Sequence, residues 1–301
     1  FYPLYFVGSS ACEWLSMAVV NIVNAGLFVL VYRIIAKSFI GIATTTSAET
    51  KKTYKAEKGK AKSANAALLA KEFKRLASSS LYLLNACFGV LIMPVGGVAL
   101  LVKGRDLLSQ ITQAYAAGQS LCAFVGIMAV CIMATMVDTA IPSVSMEGKS
   151  VWIVKSLPVT SWQVIRAKLL VQLILCGVPA LFTTVCAFVA FECTLWQVVT
   201  GVLAIAAFVA AYSLTCMALG IKTANLNWTN EAIPIRQNFA VALAPLFGFV
   251  YVAAFFAFYL LFGQVLAMPI VTAIFAFVTA IVAFLLYLWN KRKGAKSFEA
   301  L

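Results

Sequence analysis

Residues 196–220 read WQVVTGVLAIAAFVAAYSLTCMALG, a run without a single charged side chain. A transmembrane helix needs about 20 consecutive, mostly apolar residues to cross the hydrocarbon core of a bilayer. Six further runs meet this criterion, so the sequence predicts about seven transmembrane helices, at approximately 12–35, 81–102, 119–141, 169–191, 196–220, 240–262 and 267–290. The long spacers and the absence of alternating polarity argue against a β-barrel. The predicted fold class is therefore an all-α polytopic membrane protein.

The composition of the whole chain agrees with this fold class. Of the 301 residues, 63% are hydrophobic and 11% are charged, whereas soluble domains average about 45–50% and about 25%. These values exclude an ordinary soluble enzyme, a disordered chain and a secreted disulfide scaffold. The chain has no histidine, which removes the usual zinc ligand and catalytic base. Its eight cysteines form no C-x-x-C pair, so we interpret them as small hydrophobic residues.

Lysine and arginine are distributed unevenly between the loops. Taken in alternate order, 21 of them fall on one side of the predicted membrane, and two, Lys103 and Arg105, fall on the other. Loops rich in Lys and Arg face the cytoplasm, which places Phe1 outside and Leu301 in the cytoplasm. Because no signal peptide precedes this external N-terminus, we expect further spans upstream. In this interpretation residues 1–35 are the last span of an upstream half.

Three further parts follow this span: a basic cytoplasmic linker at 36–65, a six-span core with an interfacial helix at 66–290, and a basic cytoplasmic tail at 291–301. The linker either contacts anionic lipids or is a plain solvated loop. The start of the core, residues 66–80, predicts an amphipathic helix on the inner leaflet. Its apolar stripe contains Leu68, Leu69, Phe73 and Leu76, and its basic side chains, which can extend to lipid headgroups, are Lys71, Lys74 and Arg75.

The loop at 142–168 contains more structural signals than a plain connector needs. A short helix is predicted over 150–156, and Pro158 ends it. Thr160 and Gln163 have the spacing of a capping box, which begins the helix that enters the next span. The triplet Gly148-Lys149-Ser150 is not a P-loop, because Ser143 occupies the position of the first glycine and no β-strand precedes it. The loop at 221–239 is either a structured turn or a second contact for the same partner.

Few acidic residues lie in or near the predicted spans. Glu13 and Glu192 are at outer ends, and Asp138 is near an inner end. We interpret them as interfacial groups, with ion coupling as the alternative.

Three sequence segments resemble bacterial type-2 ATP-binding-cassette (ABC) exporter permeases. They are MEGKSVWIVKSLPVT at 146–160 followed by RAK at 166–168, ANLNWTNE at 224–231, and AKEFKRLASSSLYLLN at 70–85. Met146 is a departure, since arginine is common at its position in that group. The resemblance covers residues 66–301.

The resemblance implies a transmembrane permease subunit that couples ATP hydrolysis on a separate cytoplasmic ATPase to export. A coupling helix would contact that ATPase through Glu147, Gly148, Lys149, Trp152, Lys155, Leu157 and Pro158, and the second inner loop would contribute Asn227, Trp228, Asn230 and Glu231. The chain would bind no cofactor itself, because ATP and Mg would bind to the partner. Membrane lipids and a second permease copy are further partners that we expect, and nucleic acid is not. The location would be the bacterial cytoplasmic membrane.

Other function classes stay open at this point. An ion-coupled secondary transporter or channel would depend on Asp138. A membrane enzyme ranks lowest, because the chain has no histidine and no paired carboxylates. A non-transporting scaffold or sensor would bind a partner without stimulating its ATP turnover. Peptides, lipids, drugs and polysaccharide precursors are all compatible substrates.

Overall fold

The computed structural model describes residues 14–44, 63–114, 118–263 and 265–301. The chain divides into two compact units, Phe1–Lys60 and Ala61–Leu301. The first unit contains helix α1 (Trp14–Thr44), which is apolar and long enough to cross a membrane. Helix α1 continues beyond residue 35 into the segment that the sequence assigns to the linker. Linker residues 45–62 lie outside the described residues, as does Glu13.

The regular secondary structure of the second unit is also entirely helical over the described residues. Its α-helices are α2 (Ala64–Ser78), α3 (Ser80–Ala86), α4 (Phe88–Ala114), α5 (Gly118–Ala134), α6 (Ala140–Ser145), α7 (Val151–Ser156), α8 (Ser161–Ala190), α9 (Leu195–Lys222), α10 (Ala232–Arg236), α11 (Phe239–Phe262), α12 (Met268–Trp289) and α13 (Ala295–Ala300). A 3₁₀ turn at Gly148–Ser150 and a π-helical turn at Asn290–Gly294 complete it. Six helical segments of the described chain are long and apolar enough to span a membrane, and α5 is a shorter apolar helix. The predicted all-α polytopic fold is confirmed.

Helix α9 lies at the centre of the second unit. It packs along α12 and also contacts α5, α6 and α8. Gly220 allows the backbones of α9 and α6 to approach closely, because a Cβ atom at this position would lie 2.9 Å from the Ile141 backbone in α6. This contact holds α6 against the end of α9 and thereby fixes the start of the 142–168 loop.

Two predicted spans have different limits in the structure. The span predicted at 119–141 ends at Ala134, and residues 135–139 form a non-helical break before α6. The break persists because Gln172 and Tyr82 bind its backbone: Gln172 Oε1 accepts from Thr139 N at 2.7 Å, and Tyr82 Oη donates to Thr139 O at 2.6 Å. The span predicted at 81–102 is interrupted at Cys87, and α4 then continues through Lys103 and Arg105 to Ala114.

The C-terminal segment is more ordered than a solvated tail. Residues 290–300 continue as the π-helical turn and α13, and Phe298 is buried. Helix α13 packs against α8. An apolar side chain within the basic stretch therefore anchors the segment.

Helix α2 matches the predicted amphipathic helix. Ser63 caps it by accepting from Ala66 N at 3.4 Å, and Leu68 and Leu76 of the predicted stripe are buried. Glu72 is buried on the same face, which the sequence analysis did not anticipate.

Candidate functional site

The first half of the 142–168 loop is enclosed by protein. Every residue from 140 to 148 is buried. Lys168 of α8 reaches into this segment and donates to Ser143 O at 2.9 Å. The loop is therefore attached directly to the helix that follows it.

Lys168 is the centre of a buried cluster of ion pairs. Its Nζ atom lies 2.8 Å from Glu147 Oε1 and 2.9 Å from Glu72 Oε2. Glu147 also accepts from Lys71 Nζ at 3.0 Å and from Arg75 Nη2 at 2.8 Å. The cluster joins α2, the loop and α8 through charged groups that are separated by up to 96 residues in sequence.

The electrostatics of this cluster keep Glu147 ionised. Burial alone would raise the pKa of Glu147, but Lys168, Arg75 and Lys71 together hold its pKa well below the ordinary value. Such a pair is costly to break, since removal of one partner leaves an uncompensated buried charge. The prediction that Lys71 and Arg75 extend to lipid headgroups is wrong, because both side chains are held by Glu147. The only sequence signal for this was Glu72, an acid on the apolar face of α2.

Trp228 joins the loop at 221–239 to the loop at 142–168. Its indole Nε1 donates to Ser145 O at 2.6 Å, and Asn225 N donates to Ser145 Oγ at 3.0 Å. Gly148 faces the Trp228 ring with a φ of +53°, and a Cβ atom there would lie 3.1 Å from the ring. Both the left-handed backbone and the close ring favour glycine at this position.

The other candidate residues of the second loop shape the loop itself or connect it to a neighbouring helix. Asn225 Oδ1 accepts from Asn227 N at 3.0 Å, and Asn230 Oδ1 accepts from Ala232 N at 3.0 Å. Glu231 accepts from Ser79 Oγ at 2.8 Å, which ties the loop to the start of α3. This loop is thus a structured turn, and it also contacts the first loop.

The second half of the first loop projects outward. Trp152 is 65% exposed, and Ile153 and Leu157 are also exposed. The remaining candidate residues there, Lys149, Lys155 and Pro158, are exposed as well.

The C-terminal helix contacts both this half and the start of α8. Lys155 Nζ donates to Glu299 O at 3.0 Å, and Ser161 Oγ donates to Glu299 Oε1 at 2.9 Å. The predicted capping box is confirmed: Thr160 Oγ1 accepts from Gln163 N, and Gln163 Oε1 accepts from Thr160 N. The second half of the loop is therefore held in place where it joins α8.

Asp138 takes part in none of these contacts between the loops. It lies beyond the end of α5, is 7% exposed, and neither carboxyl oxygen has a hydrogen-bond partner. Burial raises the pKa of Asp138 to about 7. The interpretation of Asp138 as an interfacial group is therefore wrong, whereas Glu192 is exposed and lies 3.8 Å from Arg105 Nε.

A family model described as "Membrane protein of 12 TMs" matches residues 1–291. The chain belongs to this family. No curated protein and no solved structure matches the chain. Membership of the twelve-span family agrees with the helical membrane architecture, and its description states no substrate or partner.

Proposed function

We propose that this member of the twelve-span family is the transmembrane permease subunit of an ABC exporter in the bacterial cytoplasmic membrane. A separate cytoplasmic ATPase would bind ATP and Mg and dock on residues 149–158. The observation that carries the proposal is the division of the 140–158 segment into a buried half and an exposed, apolar half.

The exposed half has the chemistry of a protein-docking surface. Trp152, Ile153 and Leu157 present apolar area, and Lys149 and Lys155 lie beside them. Tryptophan is enriched among interface hot spots, and clustered exposed apolar residues mark interaction sites. The basic-residue distribution supports a cytoplasmic position for this surface.

The buried half supplies a connection from that surface to the spans. Lys168 belongs to α8, Glu72 belongs to α2, and Gly220 brings α9 against α6. A displacement of the docked surface would therefore reach two membrane helices through packed, hydrogen-bonded contacts rather than through a mobile linker. This is the connection that alternating access driven by a partner requires.

The position of Gly148-Lys149-Ser150 also supports a separate ATPase. These residues form a 3₁₀ turn between two short helices, whereas a P-loop joins a β-strand to a helix. Membrane lipids and a second permease copy are the further partners of this proposal.

Co-purification tests the proposal. The natural full-length protein is tagged, extracted in mild detergent and assayed for a stoichiometric ATPase with vanadate-sensitive turnover. Trp152→Ala is compared with Trp196→Ala, since Trp196 is also exposed but lies in the first turn of α9, at the opposite end of that helix from Lys222. The proposal predicts loss of the ATPase from Trp152→Ala alone; absence of any ATPase, or equal retention by both variants, contradicts it.

A second candidate function is an ion-coupled transporter or channel. The buried, unpartnered carboxyl group of Asp138 favours it, because such groups serve as ion or proton sites in transporters. In liposomes, Asp138→Asn would then abolish flux driven by an ion gradient. Unchanged flux in this variant contradicts the second candidate.

A further inference from the structure

Asp138 differs from the other buried acids of the described chain. Glu72 and Glu147 each contact Lys168 within 3 Å, whereas both Asp138 oxygens lie without a hydrogen-bond partner. An isolated ionised carboxylate is costly to bury, and such a group usually becomes neutral by binding a proton. The packing around Asp138 therefore favours its protonated form.

The polar groups around Asp138 are engaged elsewhere. Gln172 Oε1 accepts from Thr139 N and Ala140 N, and Gln172 Nε2 donates to Val137 O. The phenols of Tyr82 and Tyr212 donate to the Thr139 and Thr135 carbonyls. These bonds hold the 135–139 break in place. The donors that still face the Asp138 carboxyl are the Ile141 backbone N–H and the Cys216 thiol, and their effect is smaller than that of burial.

A cavity of about 210 Å³ lies beside Asp138, between α3, α6, α10 and the start of α11. Asn85 and Arg236 line it together with Asp138. Arg236 Nε donates to Asn85 Oδ1 at 3.1 Å, and among the described residues no ion pair joins Arg236 to Asp138. A cavity of this size has room for several water molecules, which gives a proton a route to the carboxyl group.

The chemistry of the cavity selects a proton over a metal ion. Asp138 is its only acidic residue, and Ca²⁺ or Mg²⁺ requires about six oxygen ligands. The described residues contain no cluster of three or more His, Cys, Asp or Glu that could hold a metal. An organic cation would be repelled by Arg236, which stays charged at all ordinary pH values.

Asp138 is also the group with the right acidity for neutral pH. The titratable residues on the surrounding elements are Tyr82, Cys87, Cys176, Tyr212, Cys216 and Arg236. Phenols, thiols and guanidinium groups ordinarily ionise above neutral pH. A titration near neutral pH in this region therefore belongs to the carboxyl group.

We propose that Asp138 is a reversible proton-binding site, and that Arg236, which lines the same cavity, pairs with it when the proton is released. On release, the carboxyl O–H bond breaks, its electron pair stays on the oxygen and the proton passes to water. Arg236 ends α10. This pairing would therefore shift the loop at 221–239, which carries Trp228. The proposal does not depend on an ATPase partner.

Infrared difference spectroscopy of the full chain in liposomes tests the site. Spectra at about pH 5 and about pH 9 bracket the value of about 7, and the C=O stretch of a protonated carboxyl group is followed. We expect a band that disappears near neutral pH, is absent from Asp138→Asn, and persists in Asp106→Asn, whose carboxylate is exposed. An Asp138→Asn spectrum identical to that of the unsubstituted chain overturns the proposal.

A second variant leaves Asp138 intact. Arg236→Gln removes the cation that stabilises the charged form, so the midpoint of the band should rise by about one pH unit, and Arg236→Lys should restore most of the shift. An unchanged midpoint in Arg236→Gln overturns the role of Arg236.

Discussion

The first half of the loop, residues 140–148, has only buried side chains, whereas the second half, residues 149–158, is exposed except at Val151 and Val154. In the first half, Glu147 is bound by three cationic side chains and Gly148 is packed against Trp228. In the second half, Trp152 and Ile153 contact little else in the described chain. The two halves are only a few residues apart, so the contrast is local.

This contrast separates two physical roles. Charged and polar groups that are buried must be satisfied internally, and the first half meets this requirement through α2, α8 and the second loop. Exposed tryptophan and leucine side chains contribute to stability only when a further surface covers them and removes them from water. The first half is therefore an anchor and the second half a presented surface, and the following predictions test that division.

The largest effect is expected for Lys168→Met, which removes the centre of the anchor. Glu72 and Glu147 would then lose a fully buried partner, at a cost of about 3–5 kcal/mol in the free energy of unfolding. Lys103→Met is the control, since the Lys103–Asp106 pair is exposed and should contribute no more than about 1 kcal/mol. Thermal unfolding in detergent measures both. Equal destabilisation by the two variants would remove the basis for calling the first half an anchor.

Gly148→Ala should have the next largest effect. Alanine must adopt the positive φ at this position and also approach the Trp228 ring, which costs about 1–2 kcal/mol. Gly177→Ala is the matched control, because no atom lies within 4 Å of an added Cβ there and alanine favours a helix. The same unfolding assay applies, and a Gly148→Ala variant as stable as Gly177→Ala contradicts the close junction of the two loops.

The pH dependence of the free energy of unfolding should reveal the contribution of Glu147 to the anchor. The folded pKa of Glu147 lies below its unfolded value of 4.5, so its contribution is complete above that pH and is lost as the pH falls below it. The slope expected from this one group is about 1.4 kcal/mol per pH unit. Glu147→Gln should reduce the slope, and Glu192→Gln, at an exposed site, should leave it unchanged. If Glu147→Gln and Glu192→Gln have the same slope, Glu147 is not the source of this pH dependence.

The smallest change in stability is expected for Trp152→Ala. Its side chain is mostly exposed, so the free energy of unfolding should change by no more than about 0.5 kcal/mol. Trp228→Ala should cost at least about 1 kcal/mol, since it leaves the Ser145 carbonyl without its donor. If Trp152→Ala is the more damaging variant, Trp152 belongs to the folded core and is not a presented surface.

The sequence predicts the helices well because their signals are local. Apolar runs identify the spans, and the Thr160–Gln163 spacing correctly predicts the start of α8. The break at 135–139 has no local signal, because the residues that hold it open, Tyr82, Gln172 and Tyr212, come from distant parts of the chain.

The site is less predictable for the same reason. The family resemblance marks residues 146–160 and 224–231, but the contact between Trp228 and Ser145 that joins the two loops links positions 83 residues apart. The pairing of Glu72 with Lys168 requires a helix that packs across the loop. Nothing near Asp138 in sequence distinguishes an interfacial acid from a buried one; only the packing of α3, α9 and α10 decides it.

The most direct test of the docking proposal is site-specific photo-crosslinking in native membranes. An aromatic photoreactive amino acid, which keeps a large ring at the position, is placed at Trp152 and, as the control, at Trp196. The adducts are assayed for labelling by a photoreactive ATP analogue. We expect a nucleotide-labelled adduct from position 152 and none from position 196. No nucleotide-labelled adduct from position 152, or the same adduct from both positions, would contradict the assignment of residues 149–158 as the ATPase-docking surface.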